Sequence, residues 1–257
     1  MTQLNLTFTG AFGDELSARL DIPDEGQPRG YVLFAHCFTG SKDILAAVRI
    51  AKALWLRGFA VFRFDFTGLG ESEGDFADTT FSSNVDDLVA AAKFMREEYQ
   101  APHMLIGHSL GGAAVLSASV EIPEVVAVAT IGAPADPHHV EHHFASAKDE
   151  IEEKGVAEVC IGGRPFRIKK GLLDDIADHK LTDKVNNMKK ALLIFHSPID
   201  DIVGIENAAE IYQAARHPKS FVSLDKADHL ITSRDDAYYV AEVISAWANR
   251  YVDNQAG

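Results

Sequence analysis

Met104-Leu105-Ile106-Gly107-His108-Ser109-Leu110-Gly111-Gly112 reads as a strand, a sharp turn and the start of a helix. Met104 to Ile106 is an apolar run short enough for a buried strand, and Ala113 to Ala118 has helix-compatible composition, so Gly107-His108-Ser109-Leu110-Gly111 falls at their junction. The spacing suits a nucleophile. A serine on a strained strand-to-helix turn is presented outward, and glycines two residues to either side remove side chains that would collide where strand and helix approach. Ser109 is therefore the candidate nucleophile. The pentapeptide alone decides little, because Gly and Ser at ~7% each produce it by chance in roughly one chain in ten of this length.

Its surroundings carry the rest. Upstream, Leu4 to Phe8 and Leu16 to Ile22 alternate as strands around a turn at Gly10 and Gly13-Asp14, an antiparallel hairpin. Tyr31 to Ala35 and Ala60 to Phe66 are apolar runs of the kind covered on both faces, separated by an amphipathic helix from Ile44 to Leu56 that stops at Gly58. A helix from Val85 to Glu98, capped by Ser82 or Ser83 and carrying Asp86-Asp87 in its first turn, precedes the Met104 strand. Downstream, Val125 to Ile131 is a further buried strand. The rhythm then breaks from Ala135 to about Lys190, roughly fifty residues against the ~2–6 of an ordinary connection. This stretch reads as an inserted cap, with a polar helix at about His138 to Glu153, a hairpin from Glu158 to Lys169 turning at Gly162-Gly163, and a helix around Leu172 to Ala177. Strand Leu192 to His196, helix Glu206 to Ala215, strand Phe221 to Leu224 and helix Ala237 to Tyr251 complete the chain. The expected fold is α/β: a doubly wound, mostly parallel eight-stranded sheet, one domain over residues 1–257 with the cap inserted at about 135–190.

Composition bounds the function. A chain of 257 residues with 47% hydrophobic residues can bury a sizeable core, and a net charge of −14 opposes binding to phosphate backbones or anionic membrane surfaces. Neither nucleic acid nor a membrane is expected as a partner. The first residues lack a basic, then apolar, leader, and Cys37 and Cys160 sit in unrelated contexts, so a reducing, cytoplasmic setting is expected. The glycine-rich stretch Thr67 to Gly74 lacks the third glycine of Gly-x-Gly-x-x-Gly, and its acidic residues oppose a pyrophosphate. No cofactor is called for. His138-His139-Val140-Glu141-His142-His143 would pair histidines at i, i+4 on a helix, but no third convergent ligand is evident, and no metal is assigned.

A serine hydroxyl needs an imidazole base, and the base a carboxylate to fix its tautomer; on an elbow scaffold the chain order is Ser, acid, His. Ligands of such sheets gather at the carboxyl ends of strands. His217 enters the strand at Phe221 and lies at the wrong end, whereas His229 follows that strand and is the candidate base. After the preceding strand, Asp200 and Asp201 are adjacent; Asp200 is chosen, with Asp225 and Asp228 as spare carboxylates. The oxyanion requires two donors, read as the Leu110 amide and, from the loop His36 to Lys42, the Phe38 amide. Cys37 reads as a small buried side chain beside them rather than a thiol nucleophile. In the cap, Phe144, Phe166, Leu172, Leu173 and Ile176 form an apolar set that either lines an acyl pocket with Cys37 or holds the cap together.

The elbow, Arg63-Phe64-Asp65-Phe66-Thr67-Gly68-Leu69-Gly70-Glu71-Ser72, the His196-to-Val203 turn and Ala227-Asp228-His229 resemble the α/β-hydrolase superfamily over essentially the whole chain. More narrowly, Phe34 to Asp43, Ile131 to Pro137 and Ile161 to Phe166 resemble the hydrolase half of bacterial proteins fused to an OsmC-like peroxide-reducing domain. The chain is expected to leave no room for that domain, so peroxidase activity is not carried over; an OsmC-like protein is instead a candidate partner. Cys37 stands where the superfamily usually carries glycine. The resemblance implies a serine carboxylic-ester hydrolase acting on small acyl esters, with a small-molecule ester as substrate. An acyltransferase or peptidase with the same residues, and a non-catalytic interaction module, are the alternatives. Oligomeric state is not set by the sequence.

Overall fold

Strand alternation sorts the buried side chains onto two faces of one sheet. In β3 (Tyr31–Ala35), Val32 and Phe34 face one way and Leu33 and Ala35 the other; in β5 (Met104–His108), Met104 and Ile106 oppose Leu105. Both strands are buried throughout, which is why they read as unbroken apolar runs. The computed structural model describes residues 2–24 and 26–252. Its main sheet has eight strands in the order β1-β2-β4-β3-β5-β6-β9-β10. Here β1 is Thr2–Thr9, β2 Glu15–Ile22, β4 Ala60–Phe64, β6 Ala127–Ile131, β9 Ala191–His196 and β10 Lys219–Ser223. The first hairpin and the β2–β4 pair are antiparallel; every other pair is parallel.

Helices α1 (Leu45–Trp55) and α8 (Arg234–Ala248) cover one face through Ile50, Leu54, Val240 and Ile244. The other face is covered by α2 (Phe81–Glu98), α3 (Leu110–Ala118) and α7 (Glu206–Ala214). α2 starts a turn earlier than the sequence suggested. Thr80 is its cap, in a capping box with Ser83, and Ser82 is spent on Asp175 of the cap through its amide at 2.8 Å and hydroxyl at 2.5 Å.

Between β6 and β9 the chain builds the cap: α4 (Lys148–Lys154), a separate hairpin of β7 (Val156–Ile161) and β8 (Arg164–Lys169), α5 (Lys170–Asp178) and α6 (Leu181–Asn187). The expected helix from His138 to Glu153 is two pieces. Pro137–Ala147 is 3₁₀, capped by Asp136, and it breaks at Phe144 (φ −134°, ψ 19°), whose ring is fully buried, before α4 begins. Delivering that ring into the core, where a phenylalanine contributes roughly 1.5–3 kcal/mol, competes with regular helix and wins. The i, i+4 histidine pairs therefore do not form; His142 instead lies against His139 and His143, with ring centroids 4.8 and 3.9 Å apart. The buried face of α6 is supplied by Leu181 and Val185 alone, too few for a helical spacing to show in the sequence. Among the described residues no helix is long and apolar enough to cross a membrane.

Candidate active site

The turn from β5 into α3 puts Ser109 at φ 55°, ψ −126°, a conformation L-residues avoid unless the surroundings enforce it. Its amide is tied to the Ile131 carbonyl at 2.9 Å. The flanking glycines do what their spacing suggests, with one difference. A side chain at Gly107 would strike the Gly111 carbonyl in the first turn of α3, but one at Gly111 would strike the Ala35 and His36 carbonyls of the neighbouring β3 and its loop.

Ser109, His229 and Asp200 come from three separate strand ends and meet. Ser109 Oγ donates to His229 Nε2 at 2.9 Å, and His229 Nδ1 donates to Asp200 Oδ2 at 2.8 Å. The other carboxylate oxygen of Asp200 accepts the Ile202 and Val203 amides at 3.0 and 2.9 Å. Burial pushes the Asp200 carboxyl up, but the hydrogen bonds from His229 and these amides outweigh it and hold it below the usual carboxylate range. The spare carboxylates are engaged elsewhere or face solvent: Asp228 caps Thr232 at 2.8 Å, Asp225 accepts from Ser223 at 2.7 Å, and Asp201 is exposed. Gly132, at φ 56°, leaves the space beside the pair; a Cβ there would lie 3.3 Å from Asp200 Oδ2 and 3.5 Å from His229 Nδ1.

Three buried histidines outside the Ser109–His229–Asp200 relay hold these loops. His108 Nε2 donates to the His229 carbonyl at 2.7 Å, and burial, with His229 nearby, brings its pKa down to about 4, so it stays a neutral donor. His196, at the end of β9, donates to the Val203 carbonyl at 2.7 Å and so closes the turn that presents Asp200. His36 Nδ1 donates to the Cys37 carbonyl at 2.8 Å, and its burial favours the neutral ring. Their common signal is position: each stands at the carboxyl end of a parallel strand.

The loop after β3 carries Phe38. Among the described residues neither the Phe38 amide nor the Leu110 amide has a hydrogen-bond partner, and both residues line the narrow cleft that contains Ser109. Leu110 is also the first residue of α3, where the helix dipole favours negative charge. The loop is fixed from several sides. Arg164, at the tip of the cap hairpin, donates to the Thr39 carbonyl. Buried Lys42 pairs with Asp65 at 2.7 Å and Glu71 at 2.6 Å, and Arg63 donates to the Lys42 carbonyl while pairing with Asp21 at 3.0 Å. The glycine-rich stretch folds round Asp65, which accepts the Glu71 amide at 2.9 Å.

The cap residues expected to face the acyl group are placed elsewhere. Phe144, Leu172, Leu173 and Ile176 are buried in the core beneath the cap, and Phe166 packs edge-on against Phe76, ring centroids 5.0 Å apart. The cap instead lines the cleft with His139, Val140, His142 and His143. Burial, with the neighbouring His142 and His139 rings, lowers His143 to about 4, and its ring stacks on Phe38 at 6.0 Å. Cys37 does not line that cleft; it lies on a cavity behind Phe38, and burial pushes its thiol up to about 11.

Residues 26–147 match the family described as serine aminopeptidase, S33. The solved structure of the esterase domain from a Rhodothermus marinus protein is 50% identical, covering 98% of this chain and 100% of that one, with a TM-score of 0.80. The chain belongs to the α/β-hydrolase superfamily. Mouse palmitoyl-protein thioesterase ABHD10, mitochondrial, is 26% identical to this hydrolase over 216 residues, 80% of this chain and 71% of the relative. The solved structure of mouse alpha/beta hydrolase domain-containing protein 10 superposes with a TM-score of 0.79 at 21% identity, over 96% of this chain and 99% of that one, a likeness of fold.

Proposed function

We propose that this hydrolase is a serine carboxylic-ester hydrolase that works through an acyl-enzyme on small acyl esters. The observation that carries the reading is the relay Ser109–His229–Asp200 at 2.9 and 2.8 Å beside two unpartnered amides. In this reading Ser109 Oγ attacks the acyl carbon as His229 Nε2 takes its proton, and the resulting oxyanion accepts from the Leu110 and Phe38 amides. Asp200, held ionised, keeps the Nδ1–H tautomer and stabilises the imidazolium. His229 then protonates the leaving alcohol, and water repeats the sequence on the acyl-enzyme. The Rhodothermus marinus esterase domain, 50% identical over 98% of this chain, supports an ester. The relative named as a palmitoyl-protein thioesterase supports thioesters as a second leaving-group class for the same residues.

The experiment is hydrolysis of p-nitrophenyl acetate and of the matching S-acetyl thioester by the wild type and by Ser109→Ala. The reading expects both activities to fall by at least about 10³-fold in the variant, the residue being both nucleophile and proton donor. Retention of either activity in folded Ser109→Ala overturns it for that substrate.

A further inference from the structure

The stretch Ile161-Gly162-Gly163-Arg164-Pro165-Phe166 forms the tip of the cap hairpin, and the Ser109–His229–Asp200 relay makes no use of it. Gly162 (φ 57°) and Gly163 (φ 78°) make the tight two-residue turn that joins β7 to β8. The turn leaves Arg164 at the start of β8, and its guanidinium crosses to the loop after β3 and donates to the Thr39 carbonyl. Among the described residues this is the one hydrogen bond from the cap to that loop, and the one bond that the Thr39 carbonyl accepts. The guanidinium is itself held. It lies 5.3 Å over the Phe166 ring, which packs edge-on against Phe76.

Two peptide planes connect that bond to the Phe38 amide. Gly40 N–H bonds back to the Cys37 carbonyl at 2.9 Å, so Cys37 to Gly40 is a tight turn with Thr39 at its third position. Thr39 is buried at φ 56°, where glycine is ordinary and a β-branched residue is an outlier that its surroundings must enforce. The Thr39 carbonyl and the Gly40 N–H belong to one planar peptide, and the Cys37 carbonyl and the Phe38 N–H belong to another. Arg164 fixes the first plane from outside the loop, and the Gly40 N–H passes that orientation to the second. His36 Nδ1, 2.8 Å from the Cys37 carbonyl, holds the second plane from the other side. We propose that Arg164 is a positioning residue: by bonding the Thr39 carbonyl from the cap it fixes the direction of the Phe38 N–H and so completes the oxyanion hole. This rests on the ester-hydrolase reading for the hole itself. Fastening of the cap is served elsewhere on the same hairpin, where Arg167 pairs with Asp75 and Lys169 with Asp78. Neither of these bonds to the oxyanion loop.

Binding of a transition-state analogue reads the hole without turnover. When Ser109 Oγ adds to the carbonyl of trifluoroacetone, an O–C bond forms, the serine proton passes to His229 Nε2, and the C=O π pair becomes an oxyanion facing the Leu110 and Phe38 amides. Affinity for this ketone is measured by fluorine NMR in the wild type, Arg164→Met, Arg164→Lys and Arg167→Met, with circular dichroism and a melting temperature for each. Arg164→Met is expected to weaken the adduct by about 10²-fold, the cost of a group displaced by roughly an ångström, and to lower kcat/KM for p-nitrophenyl acetate by the same factor. Arg164→Lys, which keeps a charged donor, recovers part of both and carries the comparison if Arg164→Met does not fold. Arg167→Met, which removes an exposed ion pair of the same hairpin, leaves both within about threefold even where it lowers the melting temperature. Equal adduct affinity in the wild type and in folded Arg164→Met overturns the proposal, and so does an equal loss in Arg167→Met. A wild type that forms the adduct but hydrolyses neither ester nor thioester removes the ester-hydrolase reading alone, and the adduct comparison still decides the role of Arg164. A wild type that forms no adduct removes both.

Discussion

At the scale of single residues, the proton relay depends on which carboxylate orients His229. Asp200 has one oxygen on His229 and the other on two amides of its own turn, whereas its neighbour Asp201 is exposed. Asp200→Asn would present the wrong partner to Nδ1–H and is expected to lower kcat by about 10⁴-fold, as removal of the orienting acid does in serine triads. Asp201→Asn should stay within about threefold of wild type. Parallel kcat measurements on the two variants, with circular dichroism to check folding, test this; the reverse ranking moves the acid by one position. This pair was readable in the sequence because adjacency to a strand end and chain order left few candidates. Choosing between the two aspartates required the turn. What decides it is the pair of amides, from Ile202 and Val203, that fold back on Asp200, and no residue pattern announces them.

At the scale of elements, strand ends are where the histidines gather, and their protonation couples the loops to pH. His108 closes β5 and clasps the His229 carbonyl, with its pKa brought down to about 4 by burial first and His229 second. In the unfolded chain a histidine titrates near ~6.5. Between those values the unfolded state binds a proton that the folded state refuses, so stability is full above pH ~6.5 and falls as pH drops toward 4. For His108 the loss is on the order of 3 kcal/mol across the window. His36 is lowered by burial, and half-buried His143 by burial and its histidine neighbours, so both add in the same direction. Melting temperatures of wild type and His108→Gln between pH 4 and 7.5 are therefore expected to converge at the acid end, the variant showing the shallower fall. Parallel curves would remove His108 from the acid sensitivity. The elements themselves were legible in proportion to their regularity. Five-residue parallel strands and the helices on the sheet announced themselves by apolar runs and 3.6-residue spacing. The segment Pro137–Ala147 did not, because its path is set by where Phe144 and the histidine rings must go.

At the scale of the molecule, the sheet gathers three distant chain segments at the carboxyl ends of its strands, and the insertion between β6 and β9 adds His139, Val140, His142 and His143 to the same cleft. The apolar residues of the cap require that it bury something, but which way they face is set by packing and not by their spacing. Phe144, Leu172, Leu173 and Ile176 turned out to attach the cap, and a polar stretch, His139 to His143, turned out to face Ser109. An insertion held down through its own core and through Arg164 leaves its charged surface outward, consistent with a chain of net charge −14. Covalent capture probes the nucleophilic role of Ser109. The folded wild-type protein is incubated with an alkyl fluorophosphonate, and intact mass and peptide mapping locate the adduct. One phosphonyl group is expected, on the peptide carrying Ser109, and none in Ser109→Ala. A folded wild-type protein left unmodified, or modified at another residue, would contradict it.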